Sequence, residues 1–150
     1  MLTSHKTRPI QILLIEDNPG DIRLTQEAFK ESRLTICLNV VTDGVEGINY
    51  IRRRPPYQDM PIPDLILLDL NLPKRDGREV LQEIKTDDEL KRIPVVILTT
   101  STAEQDILKS YSLHTNSYIN KPVDFDKFFD IIQHIESFWL NTAILPSMIR

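Results

Sequence analysis

The chain has 150 residues, of which 41% are hydrophobic and 27% charged, and its formal net charge is −4. This length fits one compact domain, and the composition is too apolar for a disordered chain. Nucleic acid is a poor candidate partner, because the negative field of the chain would repel phosphate backbones. No apolar run approaches the length of a membrane-spanning helix, and residues 1–9 lack the apolar centre of a secretory signal. We therefore expect a cytoplasmic protein without membrane contacts and with a flexible N-terminus over residues 1–9.

Five short apolar segments have the length of β-strands, and they cover residues 10–15, 36–41, 65–68, 94–98 and 117–120. Helical patterns follow the strands, over residues 19–31, 44–53, 78–85, 103–113 and 124–140. The first helix has Asn18 as its cap and Pro19 at its first position. Because strands and helices alternate, each connection can be a right-handed crossover. The pattern predicts an α/β fold, a doubly wound five-stranded parallel sheet with helices on both faces.

Two other features of the chain are expected to be structural. Residues 52–63 (RRRPPYQDMPIP) are too rich in proline for a helix or a central strand, and they predict an exposed loop with solvated arginines. Cys37 is the single cysteine, which excludes an internal disulfide. Its neighbours Ile36 and Leu38 are apolar, so we expect a small buried core residue rather than a reactive thiol.

Polar residues stand where the predicted strands end. Glu16 and Asp17 follow the first strand, Asp69 the third, Thr99 the fourth and Lys121 the fifth. Each alone also fits a helix cap, a strand residue or a turn. Together they meet at the edge of a parallel sheet where ligands bind, and three clustered carboxylates repel one another unless a hard cation such as Mg²⁺ joins them. We infer a cation site at which an Asp69 oxygen attacks phosphorus and forms an aspartyl phosphate, while Mg²⁺ neutralises charge on the transferred group.

Four segments carry a family resemblance. LLIEDNPGD, PDLILLDLNLP, VVILTTS and SYINKP resemble the signature segments of response-regulator receiver domains in two-component signalling, and the resemblance spans residues 9–139. It implies a flavodoxin-like fold with the strand order 2-1-3-4-5 and five helices. The receiver domain would then cover residues 10–140, and residues 141–150 would form a C-terminal extension.

The resemblance also implies a metal site. Asp17 and Asp69 would ligate Mg²⁺ or Mn²⁺, with Glu16 acting directly or through a water molecule. The carbonyl of Asn71 would supply a further oxygen, which suits the preference of Mg²⁺ for oxygen ligands. Asp69 would be the phosphoacceptor. Such a chain is not a conventional enzyme, but it would catalyse its own phosphorylation and dephosphorylation at Asp69.

Three further residues acquire implied roles in catalysis and switching. Lys121 would contact a phosphoryl oxygen as a point charge, and the Thr99 hydroxyl would bind another once phosphate is present. Thr99 would then move toward the phosphate and let Tyr118, the rotating aromatic of the family, turn inward. The bond between Lys121 and Pro122 resembles a cis peptide of the family.

The last predicted helix suggests partners. The segment HIESFWL followed by LP resembles single-domain regulators that partner cyanobacterial phytochrome histidine kinases, which implies a phytochrome sensor kinase as phosphodonor. Large apolar residues widen the helix stripe beyond one buried face, so we expect a homodimer whose interface includes Phe125, Phe129, Phe138 and Trp139. The alternative is that residues 141–150 fold back over them. We expect output through protein contacts, since nothing after residue 140 is long enough for a DNA-binding domain.

Two other functions compete with the receiver. One is a receiver-like binding or dimerisation module that is never phosphorylated. The other is a phosphohydrolase with an aspartate nucleophile, but that chemistry usually needs a second acid two positions after the first, where this chain has Asn71.

Overall fold

The computed structural model describes residues 9–31, 35–99, 117–120 and 130, and for Thr99 and residues 117–120 it describes only the backbone. Five strands are present in these ranges: β1 (Ile10–Ile15), β2 (Ile36–Val41), β3 (Leu65–Asp69), β4 (Val95–Thr99) and β5 (Ser117–Asn120). The helices are α1 (Pro19–Lys30), α2 (Gly44–Ile51) and α3 (Gly77–Thr86), and a 3-10 turn covers Leu90–Arg92. None of these helices combines the length and apolar character needed to span a bilayer.

The strands form one parallel sheet in the order β2-β1-β3-β4-β5. β1 therefore lies between β2 and β3, and its last residue Ile15 pairs with Val41 on one side and with Leu68 on the other. This register brings the carboxyl ends of β1 and β3 side by side. The parallel sheet confirms the predicted flavodoxin-like fold class, whereas the helices predicted over residues 103–113 and 124–140 lie outside the described residues, apart from residue 130.

Two apolar layers cover the sheet, because successive side chains of a strand point to opposite faces. On one face Leu13, Ile15, Ile66 and Leu68 pack against α2 and α3, within a cluster that includes Ile48 and Leu81. On the other face Ile12, Leu14 and Leu67 pack against Ala28 and Phe29 of α1. Every residue of β3 is buried, which explains its uninterrupted apolar sequence before Asp69.

Carboxylate and amide side chains begin the three helices. The side chain of Asn18 accepts from the backbone N–H of Asp21 at 2.9 Å, as predicted for this cap. Asp76 forms a capping box with Glu79, and α3 consequently begins at Gly77, one residue earlier than the sequence pattern predicts. Asp43 caps α2 by accepting from the N–H of Glu46 at 2.8 Å. All three caps lie at the edge of the sheet where the parallel strands end.

The prediction of a buried Cys37 is wrong, because this residue is exposed. β2 is the first strand of the sheet order and has a neighbour on one side only, β1. Of its six residues only Val41 is buried, whereas β1 is buried at five of its six positions. Apolar neighbours in the sequence therefore indicate a strand but not a central one, and the thiol of an edge strand remains accessible.

Residues 52–63 form a loop that is more firmly held than the prediction of a solvated segment allows. Arg52 lies against α3, where its Nε is 2.6 Å from Glu83 and its Nη1 is 3.1 Å from Asp87. The ring of Tyr57 packs against Tyr50 with 5.2 Å between ring centroids, and its hydroxyl donates to Glu46. This hydrogen bond is the largest cause that raises the pKa of Tyr57 to about 12. The loop is exposed over most of its residues but anchored to α2 and α3.

Candidate metal centre

Three carboxylates meet where β1 and β3 end. Glu16 and Asp17 follow β1, Asp69 is the last residue of β3, and one carboxylate oxygen of each lies within 4.8 Å of the others. Glu16 and Asp69 are 0% and 1% exposed, whereas Asp17 is exposed. The cluster therefore has two buried acids and a third that faces solvent. It brings together the three carboxylates predicted from the strand ends.

Backbone hydrogen bonds orient the two buried acids. The Oε2 atom of Glu16 accepts from the N–H of Asn18 at 3.1 Å, and the Glu16 N–H donates to the carbonyl of Val41 at 3.0 Å. The Oδ1 atom of Asp69 accepts from the N–H of Asn71, also at 3.1 Å. Each carboxylate is thus oriented by the backbone two residues further along its own loop.

The dimensions of the cluster suit a small divalent cation. Magnesium binds oxygen at about 2.0–2.1 Å, so two ligand atoms of one ion are at most about 4.2 Å apart. Separations of up to 4.8 Å need a side-chain adjustment of roughly half an ångström, or a water molecule between one acid and the ion. Carboxylate oxygens are the ligands that Mg²⁺ and Mn²⁺ prefer, and a dication relieves the repulsion among them. The residues present therefore fit the predicted ion.

Gly77 is a site residue that the sequence analysis missed. A Cβ atom at this position would lie 2.2 Å from the carbonyl oxygen of Asp69 and 2.5 Å from the Cα of Leu70. The Gly77 N–H also donates to the carbonyl of Leu70 at 2.9 Å. The first residue of α3 thus presses directly on the backbone that carries the Asp69 carboxylate. The signal was present in the sequence, since Asp76 and Glu79 have the spacing of a capping box around this glycine.

The N-terminus of α2 is a second feature that the sequence analysis missed. Gly44 donates its N–H to the carbonyl of Pro73 at 3.2 Å, and Asp43 lies 3.5 Å from the amine of Lys74. Pro73 and Lys74 belong to the loop between β3 and α3, residues 70–76, called the β3–α3 loop below. This contact joins segments about thirty residues apart, so no local sequence pattern predicts it.

The remaining predicted site residues are described less completely. Asn71 is exposed and its backbone holds Asp69, as given above. Asp69 pairs with Leu98, which places the backbone of Thr99 one residue beyond the level of Asp69 on the neighbouring strand. Tyr118 lies on β5 opposite Ile97. The other predicted site and interface residues lie outside the described part of the chain: Lys121, Phe125, Phe129, Phe138 and Trp139.

Comparison with known proteins identifies the class. The sequence profile described as the response regulator receiver domain matches residues 12–133. The chain therefore belongs to the response regulator receiver family, as its signature segments predict. Among curated relatives, the response regulator Rcp1 of Synechocystis sp. is 47% identical over 146 residues, which cover 97% of this chain and 99% of Rcp1.

Solved structures give the same result. The phosphorylated cyanobacterial phytochrome response regulator RcpA is 52% identical, with a TM-score of 0.77 over 90% of this chain and 96% of RcpA. The Mn²⁺-bound form of Rcp1 is 50% identical, with a TM-score of 0.76 over 89% of this chain and 96% of Rcp1. The receiver domain of the histidine kinase PA1611 from Pseudomonas aeruginosa holds magnesium in its active-site cleft; it is 25% identical, with a TM-score of 0.67 over 85% of this chain and 97% of that domain.

Proposed function

We propose that Asp69 accepts a phosphoryl group from a phosphohistidine of a sensor histidine kinase and that the chain passes the signal on through protein contacts. The observation that carries this proposal is the cluster of three carboxylates within 4.8 Å of one another. Within this cluster the receiver resemblance implies Asp69 as the acceptor, and its buried carboxylate is oriented by the Asn71 N–H. Exposed acids without such a partner would have no fixed direction of attack.

The transfer exchanges one bond to phosphorus for another. An Asp69 carboxylate oxygen forms a bond to phosphorus, the P–N bond to the histidine breaks, and its electron pair returns to the imidazole. Mg²⁺ or Mn²⁺ supplies charge neutralisation for the transferred group. Asp17 and Asp69 hold the ion, Glu16 acts directly or through water, and the Asn71 carbonyl completes the oxygen set. Burial of Asp69 limits the approach of competing water.

The proposed switch uses Thr99, Tyr118 and Lys121, whose side chains lie outside the described part of the chain. Thr99 and Lys121 each bind a phosphoryl oxygen, and Thr99 vacates space into which Tyr118 turns. A hydrogen bond to a charged group contributes about 1.5–3 kcal/mol, so two contribute about 3–6 kcal/mol. Reversal of a 1:99 equilibrium needs about 5.5 kcal/mol. The proposed contacts are therefore strong enough to shift a two-state receiver.

Intact mass spectrometry after incubation with acetyl phosphate and Mg²⁺ tests the acceptor. The native chain gains one phosphoryl group, and neither the chain in EDTA nor Asp69→Asn gains one. Asp69→Asn is a matched control, because asparagine keeps an oxygen that accepts from the Asn71 N–H. A chain that neither gains an adduct nor consumes acetyl phosphate is the binding module, and one that hydrolyses acetyl phosphate without accumulating an adduct is the phosphohydrolase.

We also propose that a phytochrome is the cognate kinase and that the chain forms a homodimer. The phytochrome assignment rests on the likeness to RcpA, whose structure is described as a phytochrome response regulator. The dimer rests on the apolar residues Phe125, Phe129, Phe138 and Trp139 of the last predicted helix. Phosphotransfer from a purified phytochrome kinase in red and far-red light tests the first assignment. Light scattering of the native chain beside Phe138→Glu tests the second, which monomer at high concentration would reject.

We also propose that the receiver domain spans residues 10–140, with residues 1–9 before it and residues 141–150 as a C-terminal extension. Deletion of residues 141–150 separates the extension from the receiver, since the shortened chain should still form the Asp69 adduct at the native rate.

A further inference from the structure

The β3–α3 loop contains a strained turn. Lys74 has φ = 69°, in the left-handed region that a residue with a Cβ rarely adopts. The Arg75 N–H donates to the carbonyl of Pro73 at 2.8 Å, so the backbone closes on itself across the single residue Lys74. A γ-turn with positive φ is rare and strained, and such a conformation persists only where surrounding structure holds it.

The N-terminus of α2 supplies that support. The carbonyl of Pro73 accepts a second hydrogen bond, from the Gly44 N–H at 3.2 Å. A Cβ on Gly44 would lie 1.9 Å from the carbonyl oxygen of Arg75, so the helix start and the loop are in backbone-to-backbone contact. The Oδ2 atom of Asp43 is 3.5 Å from the Lys74 amine, and the Asp43 residue is only 7% exposed. Three contacts from two adjacent residues thus hold one strained turn.

The same loop orients the phosphoacceptor. The N–H of Asn71, in this loop, donates to Asp69 Oδ1. The N–H of Gly77, directly after the loop, donates to the carbonyl of Leu70 at its start, so the two ends of the loop are joined. Arg75 adds a contact to α3, with its Nη1 atom 3.5 Å from Glu83. Since the loop has seven residues and its two ends are joined by the hydrogen bond from Gly77 to Leu70, we expect a displacement of the turn at Lys74 to shift Asn71.

We propose that Asp43 and Gly44 are positioning residues of the metal and phosphoryl-acceptor site. They hold the turn at Lys74, and through it they set the place of the Asn71 backbone beside Asp69. This inference rests on the proposed function. The contact between α2 and the β3–α3 loop also couples α2 to the site. If this contact favours metal binding by a given free energy, metal binding stabilises the contact by the same free energy.

Two glycines of α2 provide a matched test. Gly44→Ala inserts a Cβ into the loop backbone, whereas Gly47→Ala places a Cβ 2.9 Å from Ile15 Cδ1, the end of a flexible side chain in the core. Both variants perturb packing of the same helix, but only the first reaches the loop. We expect the Kd for Mn²⁺, measured by calorimetry on the full chain, to rise about tenfold in Gly44→Ala, equivalent to ~1.4 kcal/mol. In Gly47→Ala the Kd stays near the native value, even where thermal unfolding shows lost stability.

A second pair of variants tests the strained turn if Gly44→Ala does not fold. Lys74→Ala and Lys74→Gly both remove the amine, but only glycine adopts positive φ without strain. We expect Lys74→Gly to bind Mn²⁺ about threefold more tightly than Lys74→Ala, because the turn then forms more readily. Equal Kd values within both pairs overturn this inference. The native chain is the separate check: if it binds no Mn²⁺ and forms no adduct on Asp69, the proposed function itself fails.

Discussion

Removal of the negative charge of Asp69 should stabilise the metal-free protein. The three carboxylates lie within 4.8 Å of one another, and at that separation a pair repels by about 0.9 kcal/mol at a water-like dielectric constant and by about 3.5 kcal/mol at an effective value of ~20. Asp69→Asn removes two of the three pairs. The smaller value suits the pair with exposed Asp17, and the larger is an upper bound for the pair with buried Glu16. The Asn71 N–H then donates to a neutral acceptor, which costs roughly 1 kcal/mol, so these interactions taken together give a gain of about 1–3 kcal/mol.

Urea unfolding with and without Mg²⁺ measures this effect. In EDTA, Asp69→Asn should have the higher free energy of unfolding. With excess Mg²⁺ the order should reverse or close, because the native chain gains RT ln(1 + [Mg²⁺]/Kd), about 2.7 kcal/mol at a hundred times Kd. If Asp69→Asn is less stable than the native chain in EDTA and responds equally to Mg²⁺, the three acids are not a repulsive cluster joined by a cation.

Three further predictions concern packing and pH. Gly77→Ala should lower the free energy of unfolding by at least about 1–3 kcal/mol and weaken Mn²⁺ binding, because its Cβ would lie 2.2 Å from the Asp69 carbonyl; a native Kd would contradict this reasoning. Arg52→Ala should lower the free energy of unfolding measured in urea, because Glu83 and Asp87 then lose their contacts with the Arg52 guanidinium, and an unchanged midpoint would argue against the bridge. The pKa of Tyr57 is raised to about 12 by its hydrogen bond to Glu46, so its contribution to stability is complete below pH 10 and declines as pH rises from 10 to 12. Tyr57→Phe should remove this part of the alkaline decline, and identical slopes of stability against pH would refute it.

Local sequence patterns were sufficient to predict the strands of the sheet to within one residue. The predicted bounds of β1, β2 and β5 agree with the structure, β3 runs one residue further, to Asp69, and β4 begins and ends one residue later than predicted, at Val95 and Thr99. These strands are short apolar runs bounded by charged residues, proline or other polar residues, so the apolar pattern and the flanking residues locate them. The acids at positions 16, 17 and 69 followed from the same reasoning, since parallel strands end at one edge.

Other features depend on tertiary contacts that no local pattern reveals. Cys37 is exposed because β2 lies at the edge of the sheet, and strand order is a property of the whole fold. Arg52 is bound because α3 brings Glu83 and Asp87 to it from more than thirty residues away. The contact of Gly44 with the β3–α3 loop has the same origin, since its two segments meet only after the sheet has formed.

The exposed thiol of Cys37 is a natural attachment point for a probe that measures its distance to the metal site. Cys37 is the single cysteine of the chain, so a nitroxide spin label can be attached there without introducing or removing any other cysteine. It lies four residues before Val41, whose carbonyl accepts from the Glu16 N–H, a span of about 13 Å along an extended strand. Paramagnetic broadening between that label and Mn²⁺ would therefore report the position of the ion within the native sequence.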